Sequence, residues 1–103
     1  MTKTWDRDTQ INYMKKAVDL APQNDLAYML LGNWYFKYKN DHENAIKNLE
    51  KALEIDPNTP FTLFQLGIIY LTKKNDLKAV DYLKKSCDKG MKGACAILKE
   101  KNY

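Results

Sequence analysis

Residues 28–57 read YMLLGNWYFKYKNDHENAIKNLEKALEIDP, and this stretch decides the fold. Its first eight residues, YMLLGNWY (28–35), return later in the chain as LFQLGIIY (63–70). Both copies place large apolar residues three and four positions apart, with a glycine between them. That spacing lines one face of an α-helix.

The second half of the stretch also recurs. Residues 46–57 read IKNLEKALEIDP, and they match INYMKKAVDLAP (11–22) on one side and VDYLKKSC (80–87) on the other. Marker residues in the copies lie 35, 35 and 34 positions apart. The three pairs are Gly32 and Gly67, Ala17 and Ala52, and Ala45 and Ala79. Agreement on one period predicts an internal repeat of helical hairpins.

Breaks in the pattern set the helix ends. Pro22 and Pro57 each close a segment, because proline lacks the N–H that continues a helix. Thr59 before Pro60 is typical of an N-cap and first turn, and Gly90 suits a left-handed stop. Asn40-Asp41 and Asn75-Asp76 offer caps for the helices that follow. The sequence predicts six helices, at about 6–20, 25–39, 42–55, 60–73, 76–88 and 92–101.

Small residues indicate where helices meet. Gly32 and Gly67 permit a close approach that a side chain would prevent. We expect the same role on the partner helices from four alanines: Ala17, Ala45, Ala52 and Ala79. Each hairpin then buries part of its apolar face, and stacking of neighbours buries the rest.

Composition and charge exclude several classes of protein. The chain has 103 residues, of which 45% are hydrophobic and 29% charged, as in an ordinary globular domain. The net charge of +4 comes from lysines spread along the chain, so we expect no nucleic-acid binding. No apolar run has the roughly 18 residues that a membrane span needs, and we expect no membrane insertion.

The two full units, roughly 25–57 and 60–91, resemble tetratricopeptide repeats, and the segment before Pro22 resembles the second half of another. The resemblance implies an all-α fold, a short right-handed superhelical solenoid of antiparallel helix hairpins. It also implies a single domain. Its parts are an incomplete repeat at 1–23, full repeats at 24–57 and 58–90, and a capping helix at 91–103. The first full repeat has one extra residue, which we assign to the region around Asp41-His42.

The tail at 84–99, KKSCDKGMKGACAILK, is similar to the end of Sel1-like repeat proteins, in particular the Helicobacter cysteine-rich proteins. In that family a cysteine near one helix end bonds a cysteine eight residues later, which implies a disulfide between Cys87 and Cys95. The residues alone leave open two small buried thiols instead. The lack of an apolar N-terminal stretch favours the cytoplasm, whereas removal of a leader together with a bonded pair would place the protein in the periplasm or outside the cell.

Nothing in the sequence predicts an enzyme, a cofactor or a metal site. His42 is the single histidine, and structural zinc needs four nitrogen or sulfur ligands. A catalytic pair of His42 with either cysteine would also need an oxyanion hole, for which the sequence offers no candidate. No phosphate-binding or dinucleotide-binding glycine motif occurs.

In tetratricopeptide proteins the first helix of every hairpin lines a concave groove that binds peptides. The resemblance therefore implies a non-enzymatic interaction module whose partner is an apolar helix or segment of another protein. The candidate groove residues lie off the packing stripe. They are Leu26, Met29, Asn33, Phe36, Lys37, Phe61, Phe64, Gln65, Ile68 and Leu71.

Two alternatives remain open. The C-terminal helix at 92–101 or the N-terminal helix could cover part of the groove. The protein could also be a structural homo-oligomer, assembled through the groove or through the uncapped N-terminal helix. In that helix Ile11, Met14, Val18 and Leu20 lack a preceding partner. We expect Trp5 or a second subunit to cover them, or else the sequence is a fragment of a longer protein.

Overall fold

The computed structural model describes residues 6–103, in which six α-helices and one π-helical segment occur and no strand is found. The helices agree with the predicted bounds to within one or two residues, except that the second ends in the π-helical segment. Trp5 lies outside the described residues. The elements are α1 Arg7–Leu20, α2 Asp25–Trp34, the π segment Tyr35–Lys39, α3 His42–Ile55, α4 Pro60–Thr72, α5 Asp76–Asp88 and α6 Lys92–Glu100.

The helices divide into two compact units, residues 6–55 and Asp56–Tyr103, which we call unit 1 and unit 2. Unit 1 contains α1, α2, the π segment and α3. Unit 2 contains α4, α5 and α6. The assignment of 1–23, 24–57, 58–90 and 91–103 to repeats of a single domain stays a prediction.

The helix ends follow the capping residues. The Asn24 side chain accepts from the N–H groups of Leu26 and Ala27, and Asn75 accepts from Lys78. Gly90 has a φ of 99°, the left-handed stop that the sequence predicts. Thr59 is the N-cap residue before Pro60, as expected, but its side chain makes no capping hydrogen bond. Its hydroxyl donates to the Asp56 carbonyl at 3.3 Å instead of accepting from the helix.

The π segment takes up the extra residue of the first full repeat. Asn40 and Lys74 both have left-handed backbones, with φ of 51° and 62°, so they are equivalent and lie 34 positions apart. The N–H of Asn75, which follows Lys74, donates to the Tyr70 carbonyl five residues earlier. The N–H of Asp41, which follows Asn40, donates to the Tyr35 carbonyl six residues earlier. The insertion therefore lies within Tyr35–Lys39, and its placement around Asp41-His42 is wrong.

Unit 1 packs α2 against α3 at the predicted close approach. A Cβ atom on Gly32 would lie 2.8 Å from Cγ of Leu49 and 2.9 Å from the Ala45 carbonyl oxygen, so glycine is required there. Ala45 and Ala52 are buried, as expected. Ala17 is exposed, and the prediction that it packs between helices is wrong, because within the described residues no helix covers its face of α1.

Unit 2 repeats this contact and adds a further helix. A Cβ on Gly67 would lie 2.7 Å from Cγ of Leu83. Leu83, Ala94 and Leu98 form a buried cluster that joins α5 to α6. Inside the hairpin, the buried Ser86 hydroxyl donates to the Pro60 carbonyl at 2.7 Å, which leaves no unmet polar group on α5 at that point.

Cys87 and Cys95 are bonded to each other across the turn between α5 and α6, with their Cα atoms 4.9 Å apart. That separation lies within the ordinary disulfide range. The bond ties the last helix of unit 2 to the hairpin on which it packs.

Candidate functional site

The candidate groove residues of unit 1 lie along α2 and the π segment. Leu26 has 57% of its surface exposed, and Lys37 is also exposed. Met29, Asn33 and Phe36 are half-buried. The helix therefore presents apolar surface to solvent at its N-terminal end and a cation at its C-terminal end.

The candidates of unit 2 divide into two groups. Phe61 is 37% exposed, and Gln65 and Ile68 are half-buried. Phe64 and Leu71 instead pack against the Leu83 cluster, and Phe64 lies against Gly93 of α6. The C-terminal helix thus covers part of Phe64, which is one of the alternatives that the sequence left open.

Leu26 and Phe61 occupy the same position of the repeat. They lie 35 residues apart, as Gly32 and Gly67 do, and each stands in the first turn of its helix. A large apolar side chain is exposed at both places. Repetition of an exposed apolar residue at one register position distinguishes this pair from scattered surface leucines.

A second feature, which the sequence analysis missed, is an open cleft between α1 and α2 in unit 1. A pocket of about 190 Å³ lies there, lined by apolar, amide and cationic side chains. Its lining residues are Met14, Leu30, Asn33, Trp34, Lys37 and Tyr38. The signal that could have revealed it is Leu30, an apolar residue of α2 that belongs neither to the packing pattern of the repeat nor to the groove candidates.

Aromatic rings and cations gather at one end of this cleft. The guanidinium of Arg7 lies 3.9 Å from the centre of the Tyr38 ring, a cation–π distance. The Trp34 indole N–H donates to Gln10 at 3.0 Å, which ties α1 to α2. The cleft wall is therefore held in place by contacts that do not involve a ligand.

In unit 1, the carboxyl groups whose pKa values are shifted lie at the starts of helices. Hydrogen bonds from Thr9 lower the pKa of Asp6, and hydrogen bonds from Asn44 lower that of Asp41. In unit 2, partial desolvation and then a hydrogen bond to Asp76 raise the pKa of Tyr103. All three shifts accompany capping or terminal contacts, and none lies in a group arranged for proton transfer.

The sequence predicts no metal site. The candidate ligands considered there are His42 and the two cysteines. The His42 ring lies 3.2 Å from the Asn40 side chain and 5.5 Å from Phe36, at the start of α3. Among residues 6–103, no group of three or more His, Cys, Asp or Glu could hold a metal ion. None of the helices in this range has the length and apolar character to cross a membrane.

Comparisons with known proteins agree with the helical repeat. The family model for the TPR repeat matches residues 36–74. A crystal structure of MamA superposes with a TM-score of 0.77 and 30% identity, over 85% of this chain and 51% of that one. A second MamA structure gives 0.73 and 29%, over 81% and 45%. No curated protein matches significantly.

The chain spans about half the length of the MamA chains it matches. The comparisons do not identify the tail as Sel1-like, so that affiliation stays a prediction. The all-α fold of helix hairpins is confirmed, and the tetratricopeptide fold is that of a protein–protein interaction module. Proteins of this kind are generally non-enzymatic scaffolds. The family match over residues 36–74, the repeat geometry and the structural neighbours together show that the chain has the tetratricopeptide-repeat fold.

Proposed function

We propose that each unit binds an apolar peptide or helix of a protein partner, unit 1 through the face of α2 that carries Leu26 and unit 2 through the face of α4 that carries Phe61. The proposal is supported most by the exposure of a large apolar side chain at the same repeat position in both units. Exposed apolar surface of this kind marks interaction sites in soluble proteins.

Binding would be driven by removal of apolar surface from water, at about 25 cal/mol for each Å² buried. In the proposal Leu26, Met29 and Phe61 supply that surface. Asn33 and Lys37 fix the orientation of a segment bound on unit 1 by hydrogen bonds to its backbone, and Gln65 does the same for a segment bound on unit 2. Phe64 and Leu71 act indirectly, since they support α4 from the side that packs against the Leu83 cluster.

The test is selection of ligands from a displayed random peptide library, followed by affinity measurements on variants. We expect selected peptides to be apolar and to lose tenfold or more in affinity with Leu26→Glu or Phe61→Glu, which corresponds to about 1.4 kcal/mol. Leu77→Glu is the matched control, because Leu77 is 89% exposed on α5. Equal affinity of all three variants would refute the proposed groove.

A second candidate is a homo-oligomer built through α1, or through the same groove. It is favoured by the exposed apolar residues of α1, among which Leu20 has 85% of its surface in contact with solvent. Sedimentation at micromolar concentration decides this. A single monomeric species across the range removes the candidate, and a dimer that Leu20→Glu dissociates supports it.

A further inference from the structure

Helix α6 covers part of the apolar surface that α4 carries in unit 2. Phe61 is exposed, and Phe64, one turn later on the same side of α4, is half-buried. A Cβ atom on Gly93 of α6 would lie 3.3 Å from the end of the Phe64 ring. The apolar surface therefore continues from Phe61 to Phe64, and the start of α6 lies over the second ring.

The contact between α6 and Phe64 lies inside the loop that the disulfide closes. Cys87 belongs to the last turn of α5, and Cys95 is the fourth residue of α6. The bond joins them across a separation of eight residues, and Gly93 is within this loop. Gly93 thus cannot move far from α5 while the bond is intact, and Phe64 stays covered.

The other contacts of α6 within unit 2 are apolar and limited. Of its described residues, Ala94 and Leu98 are buried, both in the cluster with Leu83. The turn before α6 contains the left-handed Gly90, and no described atom lies within 4 Å of the position that a Cβ on it would take. Elements with few buried contacts open at the low end of the free-energy range. In the chain-entropy model, a bond that closes so short a loop suppresses such opening by a factor of about 30 to 150.

The position of the bond also suits attack by a thiol. Both cysteines are half-buried, so the bond is not sealed in the core. The segment 84–92 around Cys87 carries four lysines and one aspartate, all of them exposed. A thiolate, which is the anion that attacks a disulfide, is attracted by such a cationic surface.

We propose that the bond between Cys87 and Cys95 is a redox switch that controls how much of the apolar face of α4 is open, and that a dithiol operates it. A thiolate of the dithiol attacks one sulfur and forms a mixed disulfide, which its second thiol then resolves. Two electrons and two protons pass to the protein. The S–S bond breaks, Cys87 and Cys95 become thiols, and the dithiol becomes a disulfide. Helix α6 then leaves Phe64, and the open face extends from Phe61 to Phe64.

Fluorine NMR of the chain labelled with 4-fluorophenylalanine tests the opening without any ligand. The three phenylalanines are Phe36 in unit 1 and Phe61 and Phe64 in unit 2, and Phe64→Leu assigns the last resonance. We expect reduction by dithiothreitol to move the Phe64 resonance towards that of the free amino acid and to leave Phe36 in place. With Cys87 and Cys95 both changed to serine, the resonance should take the reduced position with or without the dithiol. An unmoved Phe64 resonance, after thiol titration has shown complete reduction, overturns the switch.

As a regulator of binding, the switch rests on the function proposed above for α4, and a second experiment separates the two. Peptides are selected from the displayed library on the reduced chain. We expect those that Phe61→Glu weakens to bind the reduced chain at least tenfold more tightly than the oxidised chain. Peptides that depend on Leu26 in unit 1 are the matched control, and their affinity should stay within twofold.

The outcomes differ for the two proposals. Equal affinity in both redox states, with Phe61→Glu still weakening the peptides, refutes the regulation and leaves the proposed function standing. If no selected peptide depends on Phe61, the proposed function fails for unit 2, and the regulation of binding fails with it. The fluorine resonance of Phe64 then still decides whether the bond controls the cover of this ring.

Discussion

Units 1 and 2 are built on the same motif but differ in what flanks it. In unit 2, α4 packs against α5, and its Phe64 and Leu71 lie under a cluster to which α6 contributes. In unit 1, α2 packs fully against α3, but on its other side α1 contributes no buried residue. A repeat pattern therefore specifies which face of a helix is apolar, and the neighbouring helices determine whether that face is buried.

The difference in cover predicts a difference in stability. Repeat arrays behave as sums of units and of their nearest-neighbour contacts. Unit 2 has one more buried interface and a covalent link, so we expect it to open less often than unit 1. Native-state hydrogen exchange can measure the two units separately.

The largest expected effect comes from the buried leucines at equivalent positions. Leu83→Ala should lower the free energy of unfolding by about 2–5 kcal/mol, because it leaves a cavity between α4, α5 and α6. Leu49→Ala in unit 1 should fall at the lower end of that range, since fewer helices surround the site. Exchange should quicken mainly in the unit that carries the change. Identical exchange profiles for the two variants would contradict the separation into units.

Removal of the disulfide should narrow the difference between the units. Replacing both Cys87 and Cys95 by serine should lower stability by about 2–3 kcal/mol, because the unfolded chain loses a closed loop. The loss should appear first as faster exchange in α6. A dithiol reductant should act in the same way on the native chain and have no effect on the double variant, which is the control. Unchanged exchange in α6 after reduction would show that packing alone holds this helix.

The two close approaches should respond unequally to an added methyl group. Gly32→Ala meets the Ala45 backbone oxygen at 2.9 Å, which cannot move without shifting α3. In Gly67→Ala the corresponding oxygen is 3.5 Å away, and the clash is with the Leu83 side chain. We expect both to destabilise by about 1–3 kcal/mol, Gly32→Ala more strongly. Denaturant unfolding of both variants checks the order, and the reverse order would show that side-chain packing is the stiffer element.

The smallest expected effect is a difference in pH dependence between the N-terminal caps of α3 and α5. Hydrogen bonds from the Asn44 side chain and backbone lower the pKa of Asp41, so its charged form is favoured in the folded state. Its contribution to stability is present above the pKa of the unfolded chain and is lost as the pH falls through the lower folded value. Asn75 caps α5 and does not titrate. Asp41→Asn should therefore make unit 1 less sensitive to acid, measured by exchange, while Asn75→Ala should weaken unit 2 equally at all pH values.

The sequence predicted the parts of the fold that depend on local rules. Glycine spacing, prolines and capping residues located six helices and the contacts at Gly32 and Gly67. It did not predict the exposure of Ala17. The motif specifies an apolar packing face on a helix, but it does not specify a second helix that buries this face. The cover of Phe64 by α6 was left open for the same reason, since it depends on how a terminal helix docks.

The π segment at the end of α2 has a wider consequence. By widening one turn between Tyr35 and Lys39, it absorbs an insertion before the chain reaches α3, and Leu49 still meets Gly32 as Leu83 meets Gly67. Hairpins of this type can therefore change length by a single amino acid without rearranging their interior. The inserted residue falls within the aromatic and cationic segment Tyr35–Lys39, so that segment lengthens while the contacts inside the hairpin stay the same.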